Sequence, residues 1–357
     1  MLLRVIASRT HRALETCGAY KSFATSAVRA SSSSSTTSLP PRGVNPLYDA
    51  ALERLAAARD KKHKEAEAIK KAAEDSGTYS RYTKKRLEML EVAADKNDPE
   101  ILFTYQNEQV DLSRPIYRYL RLADFKAKDI PKLMERSMNM HVLPDILPLE
   151  TIPKAHVALR FPDQMENLVP GDLVSAKTSM EKPSIEVLDF SGGKRYYTMM
   201  LVDLDHPNPV DQTYSTRCHW LQANVCLSLK DPQVTQGDEC VSYLPPHPAR
   251  GTKAHRYVLL VLGQKGEIPK ESLTKLPNRG LDVKRWLKKY DLYPRGWSFF
   301  RVTWEPEVVD AIHRDYLGVT APVFGQWQNA KSLGIDLKEA SALHKQFEDL
   351  KTMAKKA

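Results

Sequence analysis

The chain has 357 residues, of which 42% are hydrophobic and 27% charged, and it carries a formal net charge of +9. That length holds one large domain or two ordinary ones with a real core. A mean hydropathy of −0.46 and no long apolar run exclude a membrane-spanning helix, and the positive excess points to a polyanionic partner.

The charge is unevenly placed. Residues 1–38 hold five Lys or Arg (Arg4, Arg9, Arg12, Lys21, Arg29) against one acid, Glu15, and residues 59–86 hold ten against five. These two stretches account for the whole net charge, so the rest of the chain is neutral on balance. The leader, 1–38, is rich in Arg, Ser, Ala and Thr. Leu2, Leu3, Ile6 and Leu14 interleave with Arg4, Arg9 and Arg12, the composition of a mitochondrial transit peptide with cleavage near Phe23 or Arg29. A plain basic tail is the simpler alternative. Localisation in the mitochondrial matrix follows from the import reading.

A basic helical extension is expected over 39–150. Asn45-Pro46 is a good helix start, with Asn as cap and Pro at the first helical position, and the helix runs to about Asp75 before Gly77. Lys61, Lys62, Lys64, Lys70 and Lys71 leave it little apolar face, so it lies either in solvent or on something large and polar. Thr83 is the expected cap of a second helix, Lys84 to Ala94, carrying Lys84, Lys85 and Arg86. Asp98-Pro99 opens a third, Ser113-x-Pro115 a fourth and Asp129-Ile130-Pro131 a fifth. Arg114, Arg118 and Arg121 interleave with Tyr117 and Tyr119, a pattern that suits RNA by phosphate contact and stacking and equally suits ordinary helix packing.

From His156 the pattern changes to short β-rich runs broken by Pro and Gly. They are Val157–Phe161, Ile185–Phe190, Tyr196–Asp205, His219–Leu229, Cys240–Leu244 and Tyr257–Gln264, and together they indicate a sandwich or barrel. Helices are expected from Asp282 and from Glu305-Pro306, with a strand over Trp297–Trp304 between them. A last amphipathic helix fits Asp336–Ala354, in a C-terminal segment 329–357 that follows the β domain of 151–328. The whole reads as α+β, a mainly-β core with helical additions at both ends. Cys17, Cys218, Cys226 and Cys240 form no Cys-x-x-Cys pair and are too few for a disulfide framework. Cys218 and Cys226, eight apart, are expected as buried thiols on one strand face.

Three clusters carry candidate chemistry: Asp203-Leu204-Asp205-His206-Pro207, then His219-Trp220 with Asn224, then Gly251-Thr252 with His255-Arg256-Tyr257. In order and spacing they resemble the signature of phosphatidylethanolamine-binding proteins. The resemblance implies a β sandwich in which Asp203, Pro207, His219, His255 and Tyr257 line a small anion pocket. Two imidazoles and a phenol suit a phosphate. The Gly-x-Gly of the family's pocket turn is replaced by Pro245-Pro246-His247, and Pro offers no backbone N–H, which puts ligand binding in question. No catalytic residue and no cofactor is expected. Asp203, Asp205, His206, His219 and His255 lack close ligand spacing, so a metal-assisted hydrolase is the weakest alternative and no metal site is assigned.

Outside the core, Arg114-Pro115-Ile116-Tyr117, Met140–Asp145 and Trp297–Trp304 resemble the mitochondrial large-subunit ribosomal proteins that carry this domain. That resemblance implies a structural role at the central protuberance, with mitochondrial ribosomal RNA and neighbouring ribosomal proteins as partners and no freestanding homo-oligomer. The alternative is a mitochondrial protein that binds phosphate or a phospholipid head group.

Overall fold

The computed structural model describes residues 39, 42–77, 79–107, 110–208, 213–274, 276–277, 280–324 and 345. The transit peptide expected over residues 1–38, Cys17 and the C-terminal helix expected at Asp336–Ala354 lie outside the described residues, apart from Lys345.

Helix α1 spans Pro46–Asp75, with the Asn45 side chain accepting from the Leu47 N–H. At 1.5 Å per residue it is about 45 Å long, and Ala73 is its buried residue. Helix α2, Arg81–Asp95, starts three residues earlier than Thr83 suggested. Ser80 is extended and its Oγ accepts from the Thr83 N–H at 3.1 Å, so Ser80 is the cap. Arg59 of α1 bonds Asp98 at 2.8 Å and Asp95 at 3.3 Å, pinning the two helices together. Helix α3, Pro99–Asn107, and helix α4, Pro115–Asp124, close a small apolar cluster around Ile101, Ile116 and Tyr117.

The break expected at Asp129 is instead a π turn, Phe125–Asp129, between α4 and α5, Ile130–Asn139. The Ile130 N–H reaches back five residues to the Phe125 carbonyl. Pro131 has no N–H and its ring would meet the carbonyl four residues back in a regular turn, so the helix widens there rather than ending. A short turn, α6, covers Val142–Asp145.

One six-stranded sheet forms the centre. Its strands are β2 (Leu173–Val174), β4 (Arg195–Asn208), β5 (Thr213–Leu227), β6 (Asp238–Val241), β7 (His255–Gly263) and β8 (Tyr293–Val302), in the order β2-β8-β7-β4-β5-β6. All pairs are antiparallel except β2 with β8. The second layer is only a two-stranded ribbon, β1 (Ala155–Arg160) with β3 (Ser184–Asp189). A 3-10 turn at Thr178–Met180 and helices α7 (Lys270–Leu273), α8 (Val283–Lys289) and α9 (Val308–Leu317) complete the described elements. Glu305 does not open α9. Its carboxylate accepts from the Ala176 N–H and the Ser175 hydroxyl, and the helix begins three residues later.

Both faces of the sheet are buried. Met199 and Leu201 of β4 join Leu159, Ile185 and Trp220 on the ribbon side. Met200 and Val202 join Leu143, Trp286 and Phe299 on the helix side. Hence β7 reads as an unbroken apolar run, since neither face meets water. Leu133, Val142, Leu143, Ile146 and Leu147 sit in the same cluster as the sheet, so packing runs on across residue 150. Trp297 Nε1 donates to Ser137 Oγ at 3.0 Å across that junction.

Candidate functional site

The motif residues meet at one end of β4, β5 and β7. A register shift between Leu201↔Trp220 and Val202↔Cys218 leaves His219 as the extra residue of a β-bulge, which re-aims a side chain that a regular strand would send elsewhere. Its ring stands edge-on to Tyr257 at 5.1 Å. Asp203 Oδ2 accepts from His255 Nδ1 at 2.8 Å, and His255 Nε2 lies 2.9 Å from Thr252 Oγ1. Asp203, His219, His255 and Tyr257 are therefore together. Pro207 lies four residues beyond Asp203 on the same strand, opposite Tyr214.

The four are enclosed: each has 1% or less of its surface exposed. Two imidazoles that the motifs do not include fill the space before them. His247, from the altered turn, stacks 4.9 Å from His219, and His313 of α9 stands 5.1 Å from His247. Arg217 Nη1 bonds His247 Nε2 at 3.1 Å. His313 could have been found from the spacing of Val309, Ile312 and His313, which marks the buried stripe of α9. His247 gave only the sign that the turn had changed.

Hydrogen bonding fixes the tautomers. His219 Nδ1 faces the Leu244 carbonyl, His247 Nδ1 the Pro245 carbonyl and His313 Nδ1 the Val309 carbonyl, each within 2.9 Å. A carbonyl only accepts, so each Nδ1 carries the proton. Burial lowers His219 to about 4, and burial also holds His247 well below and His313 below the usual imidazole range. All three are neutral near pH 7. Burial pushes the Asp203 carboxyl up, but the facing His255, His219 and the Asp205 N–H together leave the group lowered. His219 Nε2 is buried without a hydrogen-bond partner, and the buried Tyr257 hydroxyl makes no well-formed one, with Asp203 and the His247 backbone near it. Burial drives the phenol well above its ordinary value. These are the two polar groups best suited to a bound anion, and here they face protein.

A cover lies over the nearby turn. Gly251, at φ +84, would place a Cβ 1.7 Å from the Phe324 carbonyl oxygen, so only glycine permits the crossing. The Phe324 N–H donates to the Arg250 carbonyl at 2.8 Å, and Arg250 bridges Val323.

The remaining motif residues act as fasteners. Arg256 bonds Asp205 through Nε at 2.8 Å, and its Nη1 reaches the Met140 and His141 carbonyls and Asp145 within 2.9 Å. That ties the core to the incoming extension. Asn224 adopts φ 54 at a second bulge of β5 and holds Ile268 by its backbone N–H and carbonyl. The two bulges cancel, so Cys218 and Cys226 share a face as their spacing suggested. Both are half-buried rather than buried, as is Cys240 on the edge strand. Burial raises the Cys218 thiol to about 12, leaving it protonated and unreactive near neutrality.

The basic candidates divide. Lys61, Lys64, Lys70, Lys71, Lys84, Lys85, Arg86 and Arg114 are exposed, and Lys62 is half-buried. Arg114 lies over the Tyr117 ring at 5.0 Å. Arg118 pairs with Glu88 at 3.5 Å and Arg121 with Asp129 at 3.4 Å. Tyr117 is buried and Tyr119 is 45% exposed, so the aromatic-basic stripe of α4 is packed on one side and open on the other. Among the described residues, no three or more His, Cys, Asp or Glu are grouped to hold a metal ion, and no helix is long and apolar enough to cross a membrane.

Residues 151–295 match the phosphatidylethanolamine-binding protein family. The chain carries a phosphatidylethanolamine-binding-protein-like domain. Large ribosomal subunit protein mL38 of Schizosaccharomyces pombe is 27% identical over 232 residues, covering 64% of this chain and 74% of that one. The similarity is longer than the domain itself. Protein TERMINAL FLOWER 1 of Arabidopsis thaliana is 29% identical over 114 residues, 31% of this chain and 59% of that one. Among solved structures, carboxypeptidase Y inhibitor in complex with its cognate proteinase is 18% identical, spans 50% of this chain and 99% of that chain, and has a TM-score of 0.44. The phosphatidylethanolamine-binding protein of Plasmodium vivax is 14% identical over 48% of this chain and 97% of that chain, with a TM-score of 0.37.

Proposed function

We propose that this protein is a structural component of the mitochondrial large ribosomal subunit, seated at the central protuberance, and not an enzyme. The observation that carries the reading is the similarity to protein mL38, which runs beyond the domain over 232 residues. The geometry supports assembly rather than turnover: Asp203, His219, His255 and Tyr257 are each 1% exposed or less, with His247 and His313 packed before them.

On this reading the exposed cations of α1 and α2 lie along ribosomal RNA phosphates and displace counterions. The sheet domain is held against neighbouring proteins, and the first 38 residues direct import to the matrix. No freestanding homo-oligomer is needed.

A sucrose gradient of mitochondrial lysate tests the proposal. The protein should sediment with the large subunit, and splitting intact ribosomes by lowering magnesium should move it to the free large-subunit peak. Sedimentation as a small free protein in intact lysate would overturn it.

A further inference from the structure

A second site lies far from the family motifs, where the extension meets the β1–β3 ribbon. A cavity of about 200 Å³ opens there, lined from the extension by Arg121, Phe125, Asp129 and Lys132. Val157, Leu168 and Trp297 give it apolar walls, and His156 and Asn167 add polar groups. Phe125 and Asp129 are the first and last residues of the π turn, so the widened helix itself shapes one side. Such turns recur at functional sites, and junctions between structural units are common places for ligand cavities.

The chemistry of the lining is specific. Arg121 donates toward Asp129 at 3.4 Å and faces His156 Nε2 at 3.5 Å. The same nitrogen lies 3.6 Å from Asp129 Oδ2, so a guanidinium and a carboxylate both face it. Burial and then the Arg121 charge lower His156 to about 4, so the ring is neutral. Asn167 is held by Arg160 at 3.2 Å. The site thus offers a neutral imidazole, an amide and a carboxylate at the edge of an apolar slot. Two cations belong to the lining, Arg121 and the exposed Lys132, and the same stretch of chain carries the exposed Lys126 and Lys128. The acids nearby are already engaged, Asp124 with Lys128 at 2.7 Å and Asp129 with Arg121.

We propose that this cavity binds one nucleotide, with the base in the slot and the phosphate on Arg121 and Lys132. A single base suits the volume, whereas an acyl chain or a helix would not fit. Two lining cations, Arg121 and Lys132, suit the several oxygens of a phosphate better than the single carboxylate of a protein partner, which one guanidinium would satisfy. Apolar walls with adjacent cations are the usual elements of single-strand recognition. The nucleotide comes either from an RNA chain or from solution. The site stands whether or not the chain is ribosomal, because binding is measured on the isolated protein and sedimentation on the particle.

The test titrates the full chain with uridine 5′-monophosphate, uridine, inorganic phosphate, tetrauridylate and N-acetylphenylalanine. The readouts are the His156 ring resonances by NMR and the tryptophan fluorescence that includes Trp297. Uridine monophosphate should move both, roughly tenfold more tightly than uridine or phosphate alone. Lys132→Glu, at an exposed position, should weaken it about fivefold without changing the unfolding midpoint. Ala158→Met, filling the slot, should remove it, and Lys132→Glu decides the matter alone if that variant does not fold. Tighter binding of tetrauridylate identifies an RNA chain as the source, and equal binding identifies the free nucleotide. Unmoved His156 resonances with both, or a stronger response to N-acetylphenylalanine, would overturn the proposal, the latter in favour of a protein carboxylate.

Discussion

Helix α1 and strand β7 are opposite uses of the same chain. The helix has 30 residues and buries one of them, Ala73. The strand has nine and buries all but Arg256. Each is locally sound, because Asn45 caps the helix and the strand pairs on both sides, yet only the strand belongs to a core. A helix so exposed contributes little to the stability of its own domain, and its lysines are available to something outside. The strand end, by contrast, carries the polar groups of a binding pocket and turns them inward against two added histidines. Changes in the arm should therefore disturb assembly and spare the fold, and changes at the histidine cluster should do the reverse.

The largest expected effect tests the arm. Lys84→Glu, Lys85→Glu and Arg86→Glu together should cut the large-subunit-bound fraction on a gradient roughly tenfold, with a salt dependence shallower by about three charges. Its one recorded ion pair is Arg86 with Glu65 at 3.5 Å, about half exposed on both sides, so the thermal unfolding midpoint should stay where it is. A lowered midpoint with unchanged incorporation would reverse the assignment of roles.

Next comes the buried pair. Asp203→Ala leaves His255 without its 2.8 Å partner in a site with 1% exposure. Removing a charged acceptor from such a buried hydrogen bond costs about 1.5–3 kcal/mol, readable by denaturant unfolding. A loss below about 1 kcal/mol would mean that water enters the cluster, and that the pocket is more open than its geometry indicates.

Acid probes the same cluster without mutation. His219 is lowered to about 4 in the fold, against about 6.5 in the unfolded chain. The unfolded chain therefore takes up the proton first, and stability falls as pH drops below about 6.5, levelling near 4. His219 alone accounts for about 3 kcal/mol of that loss, and His247 and His313 shift in the same direction. Unfolding free energies measured across this window should slope downward toward acid, and His219→Gln should flatten the slope. A flat profile in the unaltered protein would show that the histidines are solvated.

The sequence carried these two regions unequally. Asn45-Pro46 and Gly77 gave α1 almost to the residue, because a cap and a stop are local chemistry. The three motif clusters marked the fold and brought Asp203, His219, His255 and Tyr257 together, because strand order preserves their spacing. The π turn was not legible, since Pro131 signals a break and says nothing of how neighbours hold the helix together. Nor was the sealing of the pocket. It depends on the His247 and His313 rings, contributed by residues 66 positions apart, meeting at 5.1 Å. The pairing of Arg118 and Arg121 with acids was hidden for the same reason, because their partners come from other turns and helices.

The smallest effect is the most discriminating. The Tyr257 hydroxyl is fully buried and makes no well-formed hydrogen bond, although Asp203 and the His247 backbone lie near it, and a buried donor left poorly paired costs up to roughly 1–3 kcal/mol. Tyr257→Phe removes that atom and keeps the ring, which lies against Phe300 at 5.6 Å and His219 at 5.1 Å. If the pocket is a sealed remnant, the variant should be as stable as the parent or more stable by up to about 1 kcal/mol, and it should enter the large subunit normally. If the pocket is a working anion site, inorganic phosphate or phosphoethanolamine should raise the parent's unfolding midpoint, and the variant should lose that response. The sign of one small stability change, read with and without phosphate, thus separates a domain kept for its shape from one kept for its ligand.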